Sequence, residues 1–291
     1  MNSDDLPALY LSADLASNKS QKGYLLVLKA EFALLVLLAL VGEFAGEIPA
    51  AKNVMVIFLI FLFGLLVYRF FSKLDRKWYA CRALAESVKT SAWKFAMRSH
   101  PYDDHSIVQV PTKNFLNSLI EIRKDNDFLG HELDAKYSDG DQISDKMLEV
   151  RKLPFEERLD LYLSSRVKGQ RTWYATKAAD NAKKRKFWFC FAVFCYALAS
   201  ASMLSKDLIE SDVSFLFSGL LVLVTSSFAW IQVKRFGELS ASYTLTAHEI
   251  GSIQGRSVDV TDENSLSEFV NAAEFAFSRE HTQWAARRDF S

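Results

Sequence analysis

The sequence predicts an all-α membrane protein, with four transmembrane helices arranged as two hairpins and continued by long cytoplasmic helical extensions. Three observations carry that expectation. Helix breakers are scarce, with 11 Gly and 5 Pro in 291 residues, while 50% of the chain is hydrophobic and Phe alone occurs 23 times; few breakers among many helix formers favour long helices over a sheet. Four apolar runs approach or reach the length that crosses a bilayer, about 20 residues. Each pair of runs is basic at its open end and net acidic at its tip, the asymmetry that orients membrane hairpins.

The first run is the shortest. It is uncharged only over Phe32–Gly42, between Glu31 and Glu43, and Lys29 can snorkel to the interface to extend it to a span of about 26–44. The second is uncharged over Asn53–Tyr68, between Lys52 and Arg69, and gives a span of about 53–71. After it, no Gly or Pro occurs until Pro101, so the helix is expected to continue past Trp78 and Trp93 into the cytoplasm. The stretch Asp125–Asp145 is polar and turn-rich, and is the linker candidate. Pro154 opens a helix that runs toward the third run, 187–205, which follows the basic cluster KKRK at Lys183–Lys186. The fourth run, 213–233, is bounded by Asp212 and Lys234 and carries Trp230 near its end. Near the C-terminus Phe269, Ala273, Phe277, Glu280 and Trp284 recur at helical spacing.

The flanking charges agree on direction. Lys19, Lys22 and Lys29 precede the first hairpin and Arg69, Lys73, Arg76 and Lys77 follow it, while its tip holds Glu43, Glu47 and Lys52. Lys177 and Lys183–Lys186 precede the second and Lys234 and Arg235 follow it; its tip holds Lys206, Asp207, Glu210 and Asp212. The positive-inside rule then places both tips outward and both termini and the middle segment in the cytoplasm.

The order of elements occurs twice. LYLSADLASNKSQKGY from Leu9 and LYLSSRVKGQRTWY from Leu161 each lead through basic residues to an apolar run, an acidic turn and a second run. The chain therefore divides into two units, 1–152 (including the linker near 125–145) and 153–291, each with one hairpin.

Composition and motifs exclude several classes. Lys+Arg and Asp+Glu balance at 35 each, so charge gives no reason to expect a nucleic-acid partner. Three cysteines without a CxxC or Cys/His cluster suggest neither a disulfide framework nor a zinc site. The N-terminal stretch MNSDDLPALY lacks the basic start of a secretory signal. No GxxxxGK[ST], GxGxxG, HExxH or GxSxG motif occurs, and no catalytic residue, cofactor or metal is expected.

Other stretches carry a family resemblance. QRTWYATKA (Gln170–Ala178) before the second hairpin and SREHTQW (Ser278–Trp284) near the end resemble the SLATT superfamily, bacterial two-transmembrane effector domains found with nucleotide-signal synthases and SLOG sensors. WYACRALAESVKTSAWKFAMRSHPY (Trp78–Tyr102) is similar to the stretch after the hairpin in another subgroup, so the chain resembles two tandem units of different subgroup. The resemblance implies a pore-forming or membrane-disrupting effector of an antiphage conflict system in the bacterial inner membrane. It also implies a homo-oligomer triggered by a nucleotide second messenger or a sensor protein.

Within that frame the candidate residues fall into three groups. Glu31 and Glu43 flank the short first run; they either line a cation-preferring path or mark the interfacial ends of a short helix. Cys195, Ala199 and Ser202 in the third run, with Ser214, Ser218 and Thr225 in the fourth, offer small or polar residues at contact spacing for a helix seam, or alternatively a polar pore face. Trp78, Arg82, Glu86 and Trp93, with Gln170, Trp173, Tyr174, Lys177, Glu280 and Trp284, are candidates for cytoplasmic packing or partner contact. The KKRK cluster reads as a topology signal that also meets anionic head groups, or as a messenger site.

Overall fold

The computed structural model describes residues 1–103, 109–208 and 215–288, of which 205–208 and 279–288 are described as backbone alone. Among the described residues there is no strand, and four helices are long and apolar enough to cross a membrane. The helices are α1 (Ala8–Gly42), α2 (Pro49–Ser72), α3 (Leu74–Ala96), α4 (Gln109–Lys124), α5 (Asp145–Lys152), α6 (Phe155–Leu161), α7 (Lys168–Leu208), α8 (Leu216–Lys234), α9 (Phe236–Gly255) and α10 (Glu263–Arg288). The apolar runs lie in α1, α2, α7 and α8, and the protein is an all-α chain with two membrane-length hairpins.

The chain divides into two compact units that cut across the sequence halves. The spanning unit comprises Lys22–Leu74 and Ala178–Ala241, and the polar unit comprises Met1–Gln21, Asp75–Lys177 and Ser242–Ser291. Each unit draws on both halves because packing sorts residues by polarity, whereas the repeat reflects chain order.

In the spanning unit the named contacts give an antiparallel order α2–α1–α8–α7. Glu31 on α1 meets Arg69 on α2. Phe44 of the first hairpin meets Phe215 just before α8 at 5.7 Å between ring centroids, and Phe32 meets Trp230 at 6.4 Å. Ala192 and Cys195 of α7 are buried with Val224 of α8. Close approach of α1 and α8 depends on Gly219: a Cβ there would lie 2.4 Å from Leu40 Cδ2. In lipid, where tails match side chains in polarity, such small-residue contacts hold helices together. Helix α2 lies at the end of this order. None of its most apolar 18-residue window is buried, against 22% for α7 and 17% for α8.

Both hairpins end in the same backbone device. Lys73 terminates α2 with φ 47°, and Arg235 terminates α8 with φ 48°. These are left-handed conformations that cost a non-glycine residue roughly 1 kcal/mol. The break at Lys73 divides a stretch that the sequence alone suggests is one continuous helix.

The polar unit has two apolar clusters. One gathers Tyr10, Leu84, Val88, Phe95, Phe115 and Met147. The other gathers Trp93, Met97, Tyr162, Tyr174, Ile250 and Phe269. The twin LYLS stretches differ here. The first is regular α-helix within α1, whereas the second begins a π-helical turn at Tyr162–Val167. The wider i→i+5 turn returns a residue five positions on to the same face. Tyr162, Arg166 and Val167 are therefore all buried together, at 0%, 3% and 0% exposure.

Candidate functional site

Two arginines, Arg151 and Arg158, fasten the end of α3. Arg151 donates to the Phe95 and Tyr102 carbonyls and lies over the Phe95 ring at 4.8 Å. Arg158, fully buried, donates to the carbonyls of Met97 (2.8 Å) and Leu153 (3.1 Å) and pairs with Glu263. Guanidinium groups at a helix C-terminus satisfy carbonyls that have no partner within the helix.

Arg166 and Glu274 form the centre of the unit. The Arg166 Nε and Nη2 donate to the two Glu274 oxygens at 2.8 and 2.7 Å. Tyr162 Oη adds a bond to Glu274 at 3.0 Å and Thr90 Oγ1 another at 3.1 Å. The Arg166 guanidinium also lies 5.8 Å from the Trp93 ring centroid and 5.1 Å from that of Phe277. Burial alone lowers the tendency of Arg166 to hold its proton, but Glu274 more than reverses this and raises its pKa. Burial, then Glu274, pushes the Tyr162 hydroxyl well above its usual range. Both groups therefore keep their protons through the physiological range.

A polar cavity of about 330 Å³ opens beside this node. From α3 it is lined by Arg82, Glu86, Lys89 and Trp93; from the π-helical turn by Arg166; and from α7 by Gln170, Trp173 and Tyr174. Arg82 bridges Asp14 at 3.0 Å and Glu86 at 2.6 Å, while Lys89 sits 3.7 Å from Glu86. Burial lowers the Lys89 pKa, with Glu86 opposing it. Cations, aromatic faces and one carboxylate together suit a polar ligand with a flat ring and an anionic group.

The structure thus brings Arg82, Glu86, Trp93, Gln170, Trp173 and Tyr174 to one cavity. Trp78 does not line it. Its ring stacks on Tyr79 at 4.4 Å and its carbonyl accepts from Ser17 Oγ at 3.2 Å. Lys177 is exposed on α7, in the polar unit. Glu280 and Trp284 lie on α10, and their side chains are outside the described residues. The sequence reading missed Arg166 as a cavity residue and Glu274 as its neighbour. Lys89 lies on the α3 face that helical spacing gives to Arg82, Glu86 and Trp93, and it lines the cavity with them.

In the spanning unit Glu31 Oε2 accepts from Arg69 at 2.9 Å, and its Oε1 is buried without a hydrogen-bond partner. Glu43 is exposed in the turn after α1. Cys195, Ala199 and Ser202 are buried on α7. On α8 the buried positions are Gly219, Val224 and Ser227. Ser218 is half-buried and Thr225 is exposed, its hydroxyl donating to its own helix at Leu221 (3.2 Å) and Val222 (3.0 Å). The close approach of α8 to α1 falls on Gly219, where the residue without a side chain admits Leu40, while Val224 of α8 packs with Ala192 and Cys195 of α7. Ser214 lies outside the described residues. Among the described residues no cluster of three or more His, Cys, Asp or Glu could hold a metal ion.

Fold and charge pattern define a class: an all-α membrane protein built from two-helix hairpins with a helical polar unit. The family model for SMODS and SLOG-associating 2TM effector domain 3 matches residues 7–159. The model for SMODS and SLOG-associating 2TM effector domain 1 matches residues 162–284. The chain belongs to the SLATT family, as two tandem domains of different subgroup. No curated protein and no solved structure matches the chain.

Proposed function

We propose that this protein is the membrane effector of a bacterial antiphage or conflict system. It resides in the inner membrane with both termini cytoplasmic, and on a nucleotide or partner signal it oligomerises and permeabilises the bilayer. The observation that carries this reading is the match of both halves to two-transmembrane effector domains, with four apolar helices where the hairpins are expected. The cavity bearing Arg82, Lys89 and Trp173 is the proposed receiving point for the signal, because it combines cations with aromatic faces. Helix α2, unburied along its apolar window, is the proposed contact between subunits.

Ion flux from liposomes holding the purified chain tests the conducting role, with Glu31→Gln as the variant. Altered cation-over-anion selectivity is the expected result. Unchanged selectivity removes Glu31 from the path. A second reading, a non-conducting scaffold that anchors a cytoplasmic partner, is favoured by the engagement of Glu31 with Arg69, which occupies a carboxylate that a cation path would use.

A further inference from the structure

The spanning unit contains a cleft of about 850 Å³ between α7 and the break that joins α8 to α9. Its walls have an ordered polarity. On α7, Arg185 and Lys186 stand one turn before Phe189; on α8, Phe228 and Ile231 stand before Arg235. Residues three and four apart share a helix face, so on both walls the cations lie at one end and the apolar residues at the other. Phe189 and Phe228 are 54% and 41% exposed.

Several features hold the cleft in shape. The left-handed residue Arg235 turns the chain from α8 into α9. Ser240 on α9 donates to the Ala178 carbonyl on α7 at 3.0 Å, fixing one helix against the other. Between them, Arg185 passes 3.4–3.6 Å from where a Cβ on Gly237 would lie. Among the described residues Glu238 is the one carboxylate in the lining, and it bridges Arg235 at 3.0 Å. Three cations against one carboxylate leave the lining net positive.

We propose that this cleft is a binding site for an anionic glycerophospholipid, with its phosphate at Arg185, Lys186 and Arg235 and its acyl chains along Phe189, Phe228 and Ile231. A phospholipid has the same order of charge and hydrocarbon as the two walls. A zwitterionic headgroup gains less from the net positive rim, since basic juxtamembrane residues select anionic lipid. The site stands independently of whether the protein conducts ions.

The test is native mass spectrometry of the purified full chain in detergent, titrated with dioleoyl phosphatidylglycerol or dioleoyl phosphatidylcholine. Wild-type protein retains phosphatidylglycerol in preference to phosphatidylcholine. Arg185→Gln/Lys186→Gln loses phosphatidylglycerol affinity about thirty-fold, from about fivefold per cation. Gly237→Leu, which keeps every charge but fills the cleft, loses it as well, and decides the matter if the double variant fails to fold. Equal retention of the two lipids by wild type overturns the proposal, as does undiminished phosphatidylglycerol binding by Gly237→Leu. Displacement of the lipid by an equimolar amount of soluble glycerol 3-phosphate also overturns it, because the site would then read phosphate alone.

Discussion

Replacing Glu274 by Gln removes one charge from the centre of the polar unit while preserving volume. Glu274 is fully buried and accepts four hydrogen bonds, two of them from Arg166. The substituted amide turns an N–H toward a donor and removes the one carboxylate that, among the described residues, meets Arg166 at bonding distance. Breaking a buried pair by removing one partner costs about 3–5 kcal/mol, and the neutral bonds from Tyr162 and Thr90 are too weak to offset it. For a chain of this size the loss corresponds to a fall in melting temperature of roughly 10 °C. Removing both partners with apolar residues of similar volume, Arg166→Met/Glu274→Leu, is expected to recover much of the loss, because no unpaired charge remains. Differential scanning fluorimetry of the wild type and the two variants in one detergent measures both changes. A Glu274→Gln loss within about 1 kcal/mol of zero would refute the argument, as would a double variant no more stable than the single one.

Two further outcomes follow from the packing. Gly219→Ala places a methyl group 2.4 Å from Leu40 Cδ2, so it is expected to destabilise the α1–α8 contact by about 1–3 kcal/mol; Leu40→Ala in the same chain should restore the melting temperature. Burial, reinforced by Glu132, raises the Cys81 thiol to about 11. Below that pH the thiol keeps its proton, and thiolate is the reactive form. Maleimide mass labelling at pH 8 should therefore leave Cys81 unmodified until the chain is denatured, and rapid labelling of the folded protein would contradict its burial.

Much of the fold was legible because an apolar run of bilayer length is a strong signal that survives without any tertiary knowledge. The four runs lie in α1, α2, α7 and α8 for that reason. The breaks at Lys73 and Arg235 were not legible, since a basic residue gives no local hint of a left-handed conformation, as glycine would. The π-helical turn at Tyr162–Val167 was hidden likewise: LYLS reads as ordinary helix in both copies, and only burial of Arg166 beside Val167 separates them. Pairing of α1 with α8 crosses the repeat boundary and is marked in sequence by little more than Gly219. Within the cavity, Arg82, Glu86 and Trp93 were readable from helical spacing, because one face of α3 carries them. Glu274 was not, because a single carboxylate among Phe and Ala on an amphipathic helix looks like a solvated position until its partner is known. Thr225 illustrates a related limit: spacing places a hydroxyl on a face, but the helix's own carbonyls can satisfy it without a neighbour.

The central claim is that the chain acts on the membrane that holds it. Membrane-potential dye fluorescence in bacteria expressing the protein together with its neighbouring genes, under phage challenge, addresses this most directly. The account predicts depolarisation that depends on the intact protein and disappears when Arg82 and Lys89 in the proposed receiving cavity are both replaced by Gln. A full membrane potential throughout challenge, with the protein present at wild-type abundance in the membrane fraction, would contradict it and leave the scaffold reading in its place.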